Sequence, residues 1–273
     1  MQDLSPRLMR PFSSRLASAV LEAGAPLCVG LDPDPARLPR HVEGAADLEA
    51  FCASIVTACA PVAAAFKPNL AFFEAAGADG WRALEGVCAA VRESGRLLVL
   101  DGKRGDIGNT GRLYAQSQFD VLEADAATVA PYMGADSLTP FLGHAGRCAF
   151  SLVATSNPGA ADVQRLEVGG EALYVHAARL AVRAASDQPG EAGFVVGATA
   201  PSLLANLRSA FPDVPFLVPG VGAQGGTPEA VLEANAGGPM LVNSSRSILY
   251  ASNGPDFASA AEKAARALAR QLS

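Results

Sequence analysis

Eight short apolar runs recur along this 273-residue chain at intervals of about 30 residues, separated by amphipathic Ala/Leu-rich segments. They cover 27–31, 62–66, 97–100, 127–130, 149–154, 194–197, 216–218 and 240–242. Near-continuous runs of this kind, rather than strict alternation, suit strands of a parallel sheet buried on both faces. The segments between them predict helices over 47–60, 80–93, 111–122, 169–186, 201–210, 227–236 and 255–271. Several open with helix-start chemistry, such as Thr227-Pro228 and Ala200-Pro201. The fourth interval, 133–144, has room only for a brief helix. Eight strand–helix units in about 250 residues favour an α/β fold of the closed (β/α)8 TIM-barrel type over an open doubly wound sheet. No linker or low-complexity stretch divides the chain, so 1–273 is expected to form a single domain, with 1–25 as an N-terminal helical extension.

Composition narrows the function classes. The net charge is −6 with no basic or acidic block, so the electrostatic footprint of a nucleic-acid binder is missing. The longest nearly apolar stretch, 55–66, is interrupted by Thr57 and Pro61 and is shorter than the roughly 18 residues of a membrane span. Near the N-terminus, the apolar run 16–21 ends at Glu22, a poor secretory signal and a reasonable opening helix. A cytoplasmic protein without membrane or nucleic-acid partners is expected. The five cysteines show no C-x-x-C spacing and there are only three histidines, which argues against a metal site and for buried, reduced thiols.

Of the 21 basic residues 18 are Arg, leaving Lys67, Lys103 and Lys263 as the lysines. A lysine in an Arg-rich chain invites a question, because an ammonium can give up a proton where a guanidinium cannot. Lys263 falls in the Ala-rich C-terminal helix, where solvation explains it. Lys67 and Lys103 fall at strand ends, the carboxyl-terminal face where barrels of this kind do chemistry. Polar residues gather at the same level in other units. Strand one ends at Asp32-Pro, strand two at Lys67-Pro-Asn69, strand three at Asp101-Gly-Lys103-Arg-Gly-Asp106, and strand five at Thr155-Ser156-Asn157-Pro. Each alone is an ordinary turn former; their shared position points to a site. In an extended strand residues 101 and 103 face the same side. A carboxylate beside an ammonium favours its charged form, which is the form that donates a proton. Asp106 either extends that charged chain or belongs to a neighbouring subunit.

The last two units carry anion-binding chemistry. After strand seven comes Pro219-Gly-Val-Gly222-Ala-Gln224-Gly-Gly-Thr-Pro, and after strand eight Asn243-Ser-Ser245-Arg246-Ser. Glycine turns let backbone N–H groups converge on an anion, Arg adds a bidentate clamp, and these two loops form the recurrent phosphate site of such barrels. No G-x-G-x-x-G dinucleotide fingerprint is present. The residues together imply a small phosphorylated substrate and proton transfer to or from carbon.

Asp101-Gly-Lys103-Arg-Gly-Asp106-Ile107-Gly-Asn-Thr110, with Phe66-Lys67-Pro68 upstream and the 219–226 glycine loop downstream, resembles the orotidine 5′-phosphate decarboxylase family, most closely its longer bacterial subfamily. The resemblance spans about residues 25 to 270. It implies cofactor-independent conversion of orotidine 5′-monophosphate to uridine 5′-monophosphate and carbon dioxide in pyrimidine nucleotide biosynthesis, by a homodimer whose only small-molecule partner is the nucleotide. By the same resemblance Lys103 protonates C6 and Asp101 lies near the departing carboxylate. Asp106, Ile107 and Thr110 enter the partner's site, and Asp32 and Lys67 hold the ribose. Ser156 contacts the pyrimidine, and Pro219, Gly222, Gln224, Ser245 and Arg246 surround the phosphate. Two positions depart from the shorter subfamily: Ser245 stands where that form has Gly before its Arg, and Asn157 where it has His. Two other readings keep the barrel. One is a magnesium-dependent sugar-phosphate enzyme resembling hexulose-phosphate synthase, for which Lys67 occupies the place of an expected acidic ligand. The other is a catalytically silent sensor of nucleotides or sugar phosphates.

Overall fold

A computed structural model gives the structure of residues 10–39, 42, 45–222 and 225–273. In chain order the elements are α1 (Phe12–Ala23), β1 (Leu27–Leu31), α2 (Ala45–Cys59), β2 (Ala65–Pro68), α3 (Leu70–Glu74), α4 (Gly77–Glu93), β3 (Leu97–Arg104) and α5 (Gly108–Gln116). There follow β4 (Ala126–Val129), α6 (Thr139–Leu142), β5 (Cys148–Ala154), the small strands β6 (Glu167–Val168) and β7 (Glu171–Ala172), α7 (Leu173–Ala185), β8 (Glu191–Val196) and α8 (Pro201–Ala210). The chain ends with β9 (Phe216–Pro219), α9 (Pro228–Asn235), β10 (Met240–Ser244), α10 (Arg246–Leu249) and α11 (Phe257–Leu272). Eight strands pair in parallel in the closed order β1-β10-β9-β8-β5-β4-β3-β2, so the expected (β/α)8 barrel is the fold. Among the described residues no helix is long and apolar enough to cross a membrane.

The period-two geometry of a strand sorts each apolar run into two faces. Leu27, Val29, Leu31, Phe66, Leu98, Leu100, Phe194, Val196, Phe216, Val218 and Val242 face outward beneath the helices. Cys28, Ala65, Leu97, Val99, Ala126, Cys148, Phe150, Val195, Leu217 and Leu241 fill the interior, joined by Phe12, Leu16 and Ala19 of α1. α1 therefore closes the amino-terminal end of the barrel. Buried Arg15 fastens it there, pairing with Asp125 and donating to the carbonyl of Gly146. Asp125 also accepts from the Leu98 backbone N–H at 2.8 Å. Residues 1–9, the start of the expected extension over 1–25, lie outside the described residues. All five cysteines are buried and unpaired, and burial pushes the Cys28, Cys59 and Cys88 thiols up to about 12.

Several element bounds differ from the sequence expectation. The second strand is Ala65–Pro68 rather than 62–66, because the N–H groups of Val62 and Ala63 both bond the Cys59 carbonyl and finish α2 through a turn at Pro61. Ala63 and Ala64 are fully buried, which is why that turn reads as strand. The third strand runs on to Arg104 and carries Asp101 and Lys103 within it. The helix expected over 169–186 starts only at Leu173. Gly169 and Gly170, at φ 63° and 82°, instead turn a two-stranded hairpin of β6 and β7.

Candidate active site

The inward polar residues at the carboxyl ends of the strands line a cavity of about 480 Å³. Asp32, Lys67, Asp101, Lys103 and Thr128 come from the β1–β4 side; Leu152, Ser156, Val195 and Leu217 form a mostly apolar wall. Pro219, Gly220, Val221, Asn243, Ser245 and Arg246 close the far rim. Eight of the residues given a role by the resemblance thus share one cavity, Asp32, Lys67, Asp101, Lys103, Ser156, Pro219, Ser245 and Arg246, together with Thr155 and Asn157.

Its electrostatic centre is Asp101. Lys67 Nζ donates to Asp101 Oδ2 at 2.5 Å and Lys103 Nζ donates to Oδ1 at 2.5 Å. Thr128 Oγ1 donates to the same Oδ1 at 3.0 Å. Burial by itself would push the Asp101 carboxyl up. The Lys67 ammonium, and after it Lys103, outweigh burial and hold that carboxyl well below the usual carboxylate range. Burial likewise disfavours the Lys67 ammonium, but Asp101 and then Asp32 raise its pKa above the ordinary lysine value. Lys67 is 3% exposed, whereas half of the Lys103 side chain reaches open space. In such an array the buried carboxylate can repel an incoming carboxylate while the exposed ammonium of Lys103 can deliver a proton at one place.

The backbone under Lys103 is unusual. The β3–β4 register shifts between Leu100 and Arg104, and Lys103 has φ 46°, a left-handed conformation costly for a residue with a Cβ. The Lys103 N–H donates to Thr128 Oγ1 at 2.9 Å, so Thr128 holds both the bulge and the carboxylate. Thr128 and Gln164 are cavity residues that the sequence left unremarked, and Asn243 stood out only as part of the segment after strand eight. For Thr128 and Asn243 the available signal was an inward position at the carboxyl end of a strand. Gln164 came from a loop with no such signal. Its amide accepts from the Thr155 N–H and donates to Thr155 Oγ1, both at 2.8 Å, pinning the start of the loop that bears Ser156.

The remaining expected residues fall elsewhere. Asp106, Ile107 and Thr110 lie beyond this chain's cavity, with Ile107 and Thr110 exposed and Asp106 Oδ1 accepting from the Ile107 N–H at 2.8 Å. Gly222 also stands outside the cavity lining, and its N–H donates back to the Gly226 carbonyl at 2.9 Å. Gln224 lies outside the described residues. Ser245 does line the rim, packed into the space left by Gly30 of β1.

Comparison with known proteins gives these residues a family. Residues 25–263 match the sequence model of the orotidine 5′-phosphate decarboxylase / HUMPS family. The chain is 49% identical over 265 residues to an orotidine 5′-phosphate decarboxylase of Roseiflexus castenholzii, covering 94% of this chain and 95% of that one. It is 46% identical over 260 residues to the one of an Azoarcus species, covering 93% and 95%. Among solved structures, the OMP decarboxylase of Leishmania donovani superposes with a TM-score of 0.82 at 39% identity, covering 96% of this chain and 99% of that one.

Proposed function

The chain belongs to the orotidine 5′-phosphate decarboxylase / HUMPS family, and on that footing we propose how its cavity turns orotidine 5′-monophosphate into uridine 5′-monophosphate and carbon dioxide. The observation that carries the assignment of roles is the Lys67–Asp101–Lys103 array at the cavity floor. The pyrimidine lies against Leu152, Val195 and Leu217 with its carboxylate toward Asp101, and Ser156 meets the ring's polar edge. Two like charges confronting each other are relieved when the bond between C6 and the carboxylate breaks. The electron pair stays on C6, carbon dioxide leaves, and Lys103 Nζ passes its proton to C6; water then returns a proton to the lysine. Charge building on a ring carbon with little delocalisation is what an adjacent ammonium stabilises.

Lys103 does not act alone, because enzymes remove about 8–23 kcal/mol from reaction barriers and one contact contributes a fraction of that. Asp32 and Lys67 hold the ribose, while Pro219, Gly222, Gln224, Ser245 and Arg246 hold the phosphate. The Gly222 N–H is engaged inside its own loop, so in our reading the loop rearranges as phosphate arrives, using binding energy to organise the reacting end. Asp106, Ile107 and Thr110 serve the site of a second copy of the chain. Exposed Ile107, Leu113, Tyr114, Tyr132 and Met133, on the segments after β3 and β4, favour a homodimer formed across that face. Buried, unpaired thiols fit a reducing compartment, in keeping with a cytoplasmic enzyme.

The test is turnover of orotidine 5′-monophosphate in the presence of EDTA, with uridine 5′-monophosphate identified as product. Lys103→Ala is expected to lower kcat by at least about a thousandfold. A variant within tenfold of wild type would remove Lys103 as proton donor. Activity abolished by the chelator would point to the magnesium-dependent alternative.

A further inference from the structure

Asp32 meets the cavity at the end of β1, and its Oδ1 is buried with no hydrogen-bond partner among the described residues. The direction of that carboxylate is set by the backbone that bears it. Asp32-Pro33-Asp34 is a tight turn in which the Asp34 N–H bonds the Asp32 carbonyl at 2.9 Å. One side chain from the other end of the chain grips both peptide groups. The Tyr250 hydroxyl donates to the Asp32 carbonyl at 2.6 Å and accepts from the Asp34 N–H at 2.6 Å. Arg37 covers the Tyr250 ring, its guanidinium carbon 4.3 Å from the ring centroid. Burial pushes the Tyr250 hydroxyl up to about 12, so it remains a donor at neutral pH.

Tyr250 also belongs to the Arg246 arm. It terminates α10, its N–H bonds the Arg246 carbonyl at 3.3 Å, and Ile248 and Leu249 between them are buried. β1 and β10 are paired neighbours in the barrel, with Val29 opposite Ser244. Asp32 and Arg246 therefore follow neighbouring strands and line one cavity although they are separated by nearly the whole sequence. A ribose and its 5′-phosphate are joined by a single ester linkage, so the groups that hold them must keep a fixed spacing.

We propose that Tyr250 is a positioning residue that aims Asp32 at the ribose and fixes its spacing from Arg246. The inference rests on the assignment of Asp32 to the ribose and adds the device that orients it. Tyr250→Phe keeps the ring and removes only the hydroxyl, and it is to be compared with Asp32→Ala and with the double variant. Asp32→Ala is expected to raise KM. Tyr250→Phe is expected to lower kcat/KM by about tenfold, mostly through KM, the size of one or two lost hydrogen bonds. In the Asp32→Ala background the same change is expected to cost less than about twofold, because the group it aims is gone. The same factor in both backgrounds, or no effect in the wild-type background, overturns the positioning role and leaves Asp32 on the ribose. An unchanged KM for Asp32→Ala overturns the ribose assignment and the positioning role with it.

Discussion

Gly30 and Ser245 compete for one volume. A Cβ at Gly30 would lie 1.9 Å from Ser245 Oγ and 2.9 Å from Ser245 Cβ, distances at which Ser245 has to shift. The serine that stands where the shorter subfamily has glycine is thus seated over a glycine of the neighbouring strand. Its hydroxyl accepts from Asn243 Nδ2 at 3.3 Å at the cavity rim. Gly30→Ala is expected to displace Ser245 and lower kcat/KM by about 10- to 100-fold, the scale of an overpacking cost. Ser245→Gly added to that variant should bring it back to within a few-fold of wild type; steady-state kinetics on the three proteins decides, and a double variant no better than the single would refute the pairing. At this scale the charged residues were legible, because Lys67, Asp101 and Lys103 interrupt apolar runs in a chain poor in lysine. Gly30 and Thr128 were not. Such residues are common in barrels, and what singles them out here is a neighbour supplied by the register of a distant strand.

The Lys67–Asp101 pair is a contact between β2 and β3, and its titration belongs to those two elements. A carboxyl whose pKa is depressed on folding stabilises the native state above its unfolded pKa, near 4, and loses that contribution as pH falls below it. A lysine whose pKa is raised on folding contributes fully below its unfolded value, near 10.4, and loses it as pH rises beyond the folded value. The pair should therefore stabilise the barrel across the neutral range and fail at both extremes. Chemical denaturation of wild type and Asp101→Asn from pH 3 to 8 checks the acid limb. The wild-type advantage is expected to be level above about pH 5 and to shrink toward pH 3; a constant difference would contradict the depressed carboxyl. Element existence was legible because each of the eight apolar runs marks a strand. Element bounds were less so wherever a turn is itself buried, as at Ala63 and Ala64, or where glycines extend a periodic pattern, as at Gly169 and Gly170. The expected run stopped at Leu100, short of the end of β3 at Arg104, because the pairing with β4 there passes through polar residues and a bulge.

For the molecule as a whole, the sharpest expectation concerns the second copy. If each site combines Lys103 of one chain with Asp106 of another, Lys103→Ala and Asp106→Ala are both poorly active alone. When equal amounts are unfolded and refolded together, half the dimers are hybrids with one intact site of two, so activity should return to about a quarter of wild type. No gain on mixing would separate Asp106 from the shared site. The α1 plug, in turn, has a consequence for how the chain comes to be folded. It is synthesised before every barrel strand, yet the layer that receives Phe12, Leu16 and Ala19 takes residues from each of those strands, including Leu241 of the last. Its docking surface is complete only when β10 has closed the ring, so a segment made before the strands is among the last to settle. Through that interval an apolar helix face waits without its receptor, flanked by Arg10 and Arg15. A guanidinium on such a face discourages self-association in the nascent chain before it ever meets Asp125.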